Sequence, residues 1–263
     1  DLPNVTMVKN FSSVTSNGDG SYTVTYQVIV SNTGGAASSY TLVDTPLFDD
    51  DVTINGGNFS GQNSGALTDG ANTLATAETI AAGATHVYNL SFNVTLDLSG
   101  NAGDNDGGDN VYTACSEPGN GPGSNPGEGL YNLAQLDINN NGTFDIEDDA
   151  CGDLPNITME KDFGSATPNG DGTYTVTYTV TVVNNGGATG TYGLTDTPGF
   201  DDDITINSGS FSGQNSGGLT EGTNVLAANE SIAGGATHVY NLSFNVTLNL
   251  TGDANDNDGG DNV

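Results

Sequence analysis

Alternation of apolar and polar residues runs through most of this chain. Tyr22, Val24, Tyr26, Val28 and Val30 alternate with Thr23, Thr25, Gln27, Ile29 and Ser31. Tyr88, Leu90, Phe92, Val94, Leu96 and Leu98 alternate with Asn89, Ser91, Asn93, Thr95 and Asp97. A period of two is that of a β-strand with one buried face. Shorter apolar runs around Tyr40–Val43, Val52–Ile54, Leu74 and Ile80 are set off by Gly, Asn and Asp, which punctuate strands with turns. Helical periodicity is nearly absent. Some seven short strands in about a hundred residues predict an all-β fold, an antiparallel β-sandwich of immunoglobulin-like type. The chain has no tryptophan, so the Cys…Trp…Cys core of antibody domains is missing.

The pattern occurs twice. Residues 1–111 return as 153–263, Asp1 matching Asp153, in register throughout. DLPNVTMVKNF becomes DLPNITMEKDF, and THVYNLSFNVTLDL becomes THVYNLSFNVTLNL. Where the copies differ, as at Val8 and Glu160 or Ile29 and Thr181, the positions fall on the expected outer faces. The division that follows is a sandwich at 1–103, an Asp/Gly-rich connector at 104–152, a second sandwich at 153–255, and the start of another connector at 256–263. Whole-domain repetition is the mark of an array whose product is length. The chain opens at Asp1 and closes at Val263, the counterpart of Val111, and reads as a piece of a longer mature series.

Charge narrows the partners. Two Lys+Arg stand against 33 Asp+Glu, a net of −31. Such a surface repels nucleic acid and anionic membranes, so neither is expected as a partner. It attracts divalent cations, and acids set among Asn and Gly make the oxygen-rich turns that calcium prefers. Bulk acidic solubility is the plainer alternative. The two cysteines, Cys115 and Cys151, both lie in the connector without Cys-x-x-Cys spacing, and predict one disulfide rather than a zinc site. A disulfide implies an oxidising, extracytoplasmic compartment. No apolar run approaches the length of a membrane span.

Within each copy the order is K-x-F, then G-D-G-x-Y-T-V-T-Y-x-V-x-V-x-N-x-G-G, then L-x-D-T-P, then I-A-x-G-A-T-H-x-Y. These are Lys9 to Phe11, Gly18 to Gly35, Leu42 to Pro46 and Ile80 to Tyr88, and again in the second copy. The series resembles the domain-of-unknown-function-eleven repeats of large bacterial and archaeal surface proteins. The resemblance covers both sandwiches and leaves out the connector. It implies an immunoglobulin-like sandwich in an adhesin stalk or cell-wall protein, and no catalytic residue.

In the connector, Asp137 to Asp148 fits the calcium-loop pattern D-x-[DN]-x-[DN]-G. Asp137, Asn139 and Asn141 would supply side-chain oxygens, Gly142 the sharp turn, Thr143 a carbonyl, Asp145 the ninth position and Asp148 the twelfth. Asp at the twelfth position, where an EF-hand has Glu, resembles dockerin modules; flanking helices are not evident. A second acidic cluster, Asp104, Asp106 and Asp109, returns as Asp256, Asp258 and Asp261. A third, Asp49, Asp50 and Asp51, returns as Asp201, Asp202 and Asp203, and is a weaker candidate to complete the second. The expected cofactor is calcium, set against solvated acidic turns.

Other residues carry less chemistry. Lys9 and Lys161 occupy one repeat position and are expected to pair with a nearby carboxylate, an isopeptide cross-link being the chemical alternative. His86 and His238 open the long strand against Tyr or at an edge. No Gly-x-Ser-x-Gly elbow is present, and no Trp platform holds a sugar, so no enzymatic activity is expected. The expectation is a calcium-stiffened structural segment of a prokaryotic surface stalk or filament. It is extracellular, and its partners are neighbouring repeats and other copies of the chain. Two rivals remain: a module binding surface glycan or another cell through loops 55–70 and 207–222, and an accessory module of a secreted enzyme.

Overall fold

A computed structural model describes residues 1–98, 111–120 and 123–249. Its secondary structure is entirely β among these residues, and every sheet is antiparallel. Contacts divide the chain into one unit of Asp1–Leu154 with Gly186–Ala188 and another of Pro155–Asn185 with Thr189–Val263.

The first unit carries ten strands. They are β1 Val5–Ser16, β2 Ser21–Asn32, β3 Ser38–Pro46, β4 Val52–Gly61, β5 Gly65–Leu67, β6 Asn72–Ile80, β7 Thr85–Leu96, β8 Gly119–Asn120, β9 Asn132–Ile138 and β10 Ile146–Cys151. One sheet has the order β1-β2-β7-β4-β5, the other β6-β3-β9-β10-β8. The long strands form as their alternation predicts. Val24, Tyr26, Val28 and Val30 of β2 and Tyr88, Leu90, Phe92 and Val94 of β7 are buried, and the two strands lie side by side with Tyr26 opposite Leu90. Phe11, Tyr26, Phe48 and Phe92 add edge-to-face and stacked contacts between ring centroids 5.6 to 6.3 Å apart. Gly61, at φ +121°, ends β4 where a Cβ would sit 2.1 Å from the Val87 carbonyl oxygen. Only glycine fits there.

Asn32, fully buried, ties the edge of this unit together. Its Oδ1 accepts from the Asn4 and Gly34 amides, and its Nδ2 donates to the carbonyls of Ala36, Ile80 and Ala81. An asparagine placed this way satisfies loop backbone that would otherwise be buried without partners.

The boundary differs from the 1–103 and 104–152 division. Residues 130–154 belong to the first sandwich. β9 pairs with β3 (Leu42 opposite Leu136, Asp44 opposite Ala134), and β10 pairs with β9. Leu130, Ala134, Leu136, Ala150 and Leu154 are fully buried in the same core as Val24 and Leu42. The Tyr26 hydroxyl donates to the Leu130 carbonyl. The physical reason is that β3 has a bare hydrogen-bonding edge and an apolar face, and an amphipathic hairpin satisfies both. The disulfide Cys115–Cys151 joins the segment before β8 to the end of β10. Asp153 then accepts from the Cys115 amide and the Tyr112 hydroxyl, which itself accepts from the Leu154 amide.

The second unit has seven strands. They are β11 Ile157–Pro168, β12 Thr173–Asn184, β13 Gly190–Asp196, β14 Ile204–Gly213, β15 Gly217–Leu219, β16 Asn224–Ile232 and β17 Thr237–Leu248. Its first sheet, β11-β12-β17-β14-β15, repeats that of the first unit; its second contains only β13 and β16 among the described residues. The consequence is visible in matched residues. Met7 is 6% exposed and its counterpart Met159 is 59%; Phe163, the counterpart of Phe11, is 61% exposed.

Replacing Leu136 by Ala is expected to cost the first unit about 2–5 kcal/mol, as a buried Leu truncation does. Reducing the disulfide is expected to cost it about 3–4 kcal/mol. Amide exchange resolved by residue checks both: protection falls in β2, β3 and β9, while β12, β14 and β17 hold theirs.

Candidate functional site

The Asp49–Asp51 turn joins β3 to β4. Asp49 is held from both sides: its amide donates to the Gly129 carbonyl, its carbonyl accepts from the Val52 amide, and its carboxylate accepts from the amides of Asp51 (3.1 Å) and Thr113 (2.8 Å). Burial pushes the Asp49 carboxyl above the usual range against those two amides, with Asp51 and Asp50 adding to the rise. One carboxylate oxygen from each of Asp49, Asp50 and Asp51 lies within 4.8 Å of the others. The twin turn Asp201–Asp203 makes the same grouping, with the Asp203 amide on Asp201 Oδ1 at 3.1 Å. Three carboxylates at that spacing repel one another, and a divalent cation relieves the repulsion with oxygen ligands. Each turn can hold one metal ion. The weaker of the sequence candidates are therefore the ones the fold gathers.

The loop from Asp137 to Asp148 is the β9–β10 hairpin. Asp137 Oδ1 and Oδ2 accept from the amides of Asn141 (3.0 Å) and Gly142 (2.8 Å), and Asn141 Oδ1 accepts from the Thr143 amide at 2.9 Å. Gly142 takes φ +82°, as the sixth position of a calcium loop requires, and Asn139 and Asn140 also take positive φ. Asn140 pins the loop to β3 through Thr41 (2.6 Å) and Ser39 (2.8 Å). Asp145 Oδ2 accepts from the Ile138 amide at 2.7 Å. Asp148 stands apart: it lies within β10, and its Oδ2 accepts from the Lys9 amide at 2.6 Å. A strand leaving the loop carries the twelfth position away along β10, where a helix would turn it back. Asp104, Asp106, Asp109, Asp256, Asp258 and Asp261 lie outside the described residues.

Lys9 is a fully buried cation, an unusual state for a lysine. It is fully buried on β1 and pairs with the fully buried Asp44 of β3. Its Nζ lies 5.2 Å from the centroid of the Tyr26 ring. Burial lowers the Lys9 pKa against the opposing pull of Asp44, Asp148 and Asp149. Burial likewise raises Asp44 against the pull of Lys9 and the Asn132 amide. The second copy repeats the pair as Lys161 and Asp196, with Nζ 4.9 Å from the Tyr178 ring, but there the lysine is 35% exposed. The lysine–carboxylate pairing expected from the repeat is present in both units. The carboxylate was legible too, since Asp44 and Asp196 are the invariant acids of the two L-x-D-T-P segments. Asn132 was not, because nothing in its neighbourhood of sequence marks it.

His86 Nδ1 meets the Tyr40 hydroxyl at 2.7 Å, and Tyr40 meets Tyr88 at 2.7 Å; His238, Tyr192 and Tyr240 repeat the chain. Among the described residues no helix is long and apolar enough to cross a membrane. A buried disulfide agrees with folding outside the reducing cytoplasm.

No family model and no curated protein matches the chain. Among solved structures it is similar to red sea bream transglutaminase at 9% identity and a TM-score of 0.24, over 93% of this chain and 27% of that one. The likeness is too slight to carry an argument about activity.

Titration with calcium or terbium is expected to reveal a site in each acidic turn. Asp50→Asn with Asp51→Asn should abolish the first alone, and Asp202→Asn with Asp203→Asn the second alone. At a hundredfold excess over Kd, occupancy stabilises a unit by about 2.7 kcal/mol. Melting curves that overlay with and without chelator would leave the acids as solvated turns.

Proposed function

We propose that the chain is a structural tandem-repeat segment of an extracellular stalk or filament on a prokaryotic surface, with calcium as the bound cation. The carrying observation is that the sandwich and its following hairpin share one core in one compact unit. Residues 130–154 complete the core that 1–98 begins, so the physical repeat is the whole 152-residue period, Asp1 to Asp153. The first residues of the next period already take part: Leu154 is fully buried in the first unit, while its twin Leu2 is 83% exposed. A series built this way lets each period lend its first residues to the unit before it.

The second unit supports the same reading. Its β13 edge, Met159, Phe163 and the half-open Lys161–Asp196 pair are the features that β9 and β10 cover in the first unit. A hairpin of the same sequence fits them in the same register, by strand addition to a free edge. The acidity suits cations at the turns, and no enzymatic step belongs to this reading. Neighbouring repeats are its partners, and other copies of the chain pack beside it in a filament.

Extending the chain beyond Val263 with a copy of residues 112–154 tests this. Amide protection in β11 and β13 is expected to rise to the level of β1 and β3, and the second unit to melt with the first. An extension carrying Asp at the positions matching Ala134 and Leu136 should give neither change. If the unaltered extension also gives neither, the period is not the structural unit and the stalk reading falls.

A further inference from the structure

Three groups of the first unit meet where the two sheets close on β1: Lys9, Asp44 and Asn132. All three are fully buried. Asn132 sits on β9 opposite Pro46, one diagonal step from Asp44, close enough for its amide to help hold the Asp44 carboxyl down. The amide touches the Asp44 carboxyl, yet no well-formed hydrogen bond satisfies Nδ2 or Oδ1 of Asn132, or Asp44 Oδ2. A fully buried carboxamide without a well-formed hydrogen bond is costly, and so is a buried ammonium. A costly buried cluster of this kind calls for an explanation, and chemistry between its members is one. We infer that Lys9 and Asn132 are joined, side chain to side chain, by an intramolecular isopeptide bond formed with the help of Asp44.

The arrangement supplies each part of that reaction. Burial drives Lys9 toward the neutral amine and Asp44 toward the neutral acid, the forms a nucleophile and a general acid need. The face of Tyr26 stands over the amine. The Lys9 Nζ lone pair adds to Asn132 Cγ, and the Nζ–Cγ bond forms as the carbonyl oxygen takes a proton from Asp44. Asp44 then relays a proton from Nζ to Nδ2, the Cγ–Nδ2 bond breaks, and ammonia leaves. The carbonyl returns its proton to Asp44, which ends as it began. Amine and carboxamide become amide and ammonia; nothing is oxidised and no cofactor is used. Asp44 is the poorer acyl donor, because one of its oxygens is already engaged by Nζ and its role as acid needs it free.

The bond would link the first strand of the sandwich to the hairpin that completes it. Its mechanical meaning, a covalent bypass that keeps residues 10–131 out of the path of a pulling force, rests on the stalk reading. The bond itself does not. The second copy is an internal control: Lys161 and Asp196 are present, but no residue of 153–263 corresponds to Asn132.

The test is the mass of the reduced, denatured full chain. It is expected about 17 Da below the sequence value, the loss of one ammonia. Trypsin has only Lys9 and Lys161 to cut at; it should cut after Lys161 and spare Lys9. An Asp-specific digest should yield one branched peptide holding Lys9 and Asn132. Asp44→Ala and Asn132→Ala should each restore the full mass and cleavage at Lys9. If a variant fails to fold, the branched peptide from the unaltered chain still decides. A full mass overturns the inference. So does a loss of about 18 Da mapped to Lys9 and Asp44, or an ammonia loss mapped to a succinimide at an Asn-Gly step.

Discussion

The edge of β3 is the constraint from which the rest of the molecule follows. A strand with one neighbour leaves a row of backbone groups and half a core open to water. In the first unit β9 closes that edge, and with it come β10, β8, the disulfide and the burial of Lys9. In the second unit β13 has β16 on one side, and the matched lysine and methionine are wetter. One pairing therefore changes the environment of residues on two sheets and turns an ordinary ion pair into a desolvated one.

Charge makes that desolvation consequential. Each copy holds one lysine, Lys9 or Lys161, in a chain with 33 Asp+Glu. A surface that acidic repels itself, and tight Asp turns concentrate the repulsion. A cation at each turn would relieve it from outside, and a lysine inside serves one carboxylate at the centre. Fully burying the single amine costs more than such a pair returns unless further bonds are made. The same burial that makes the pair expensive shifts both members toward their neutral forms.

The Asp137–Asp148 loop, which fits a calcium-binding pattern in sequence, shows how context reassigns a motif. Its first seven positions form a turn with the hydrogen bonds and positive φ angles that the pattern calls for. Its last position belongs to a strand and serves the Lys9 backbone. The turn is thus held by protein groups and anchored to β3 by Asn140, while among the described residues the acids drawn together in threes are those of the β3–β4 turn and its twin.

Period-two alternation determined the long strands, their inward faces and the all-β class, because pleating is local and each residue's side is set by its parity. Repetition determined that Lys9 and Lys161 share one position and one kind of partner, though not which carboxylate, and two cysteines in one segment sufficed for the disulfide. Tertiary structure alone decided that the connector is the missing part of a sandwich. Its strands are short, and Asn132 occupies an inward position where an apolar residue would have advertised burial. Strand partners distant in sequence are chosen by free edges and shared core, which no local pattern records. For the same reason only the fold could set a lysine of the first strand and an asparagine of the ninth around one carboxylate.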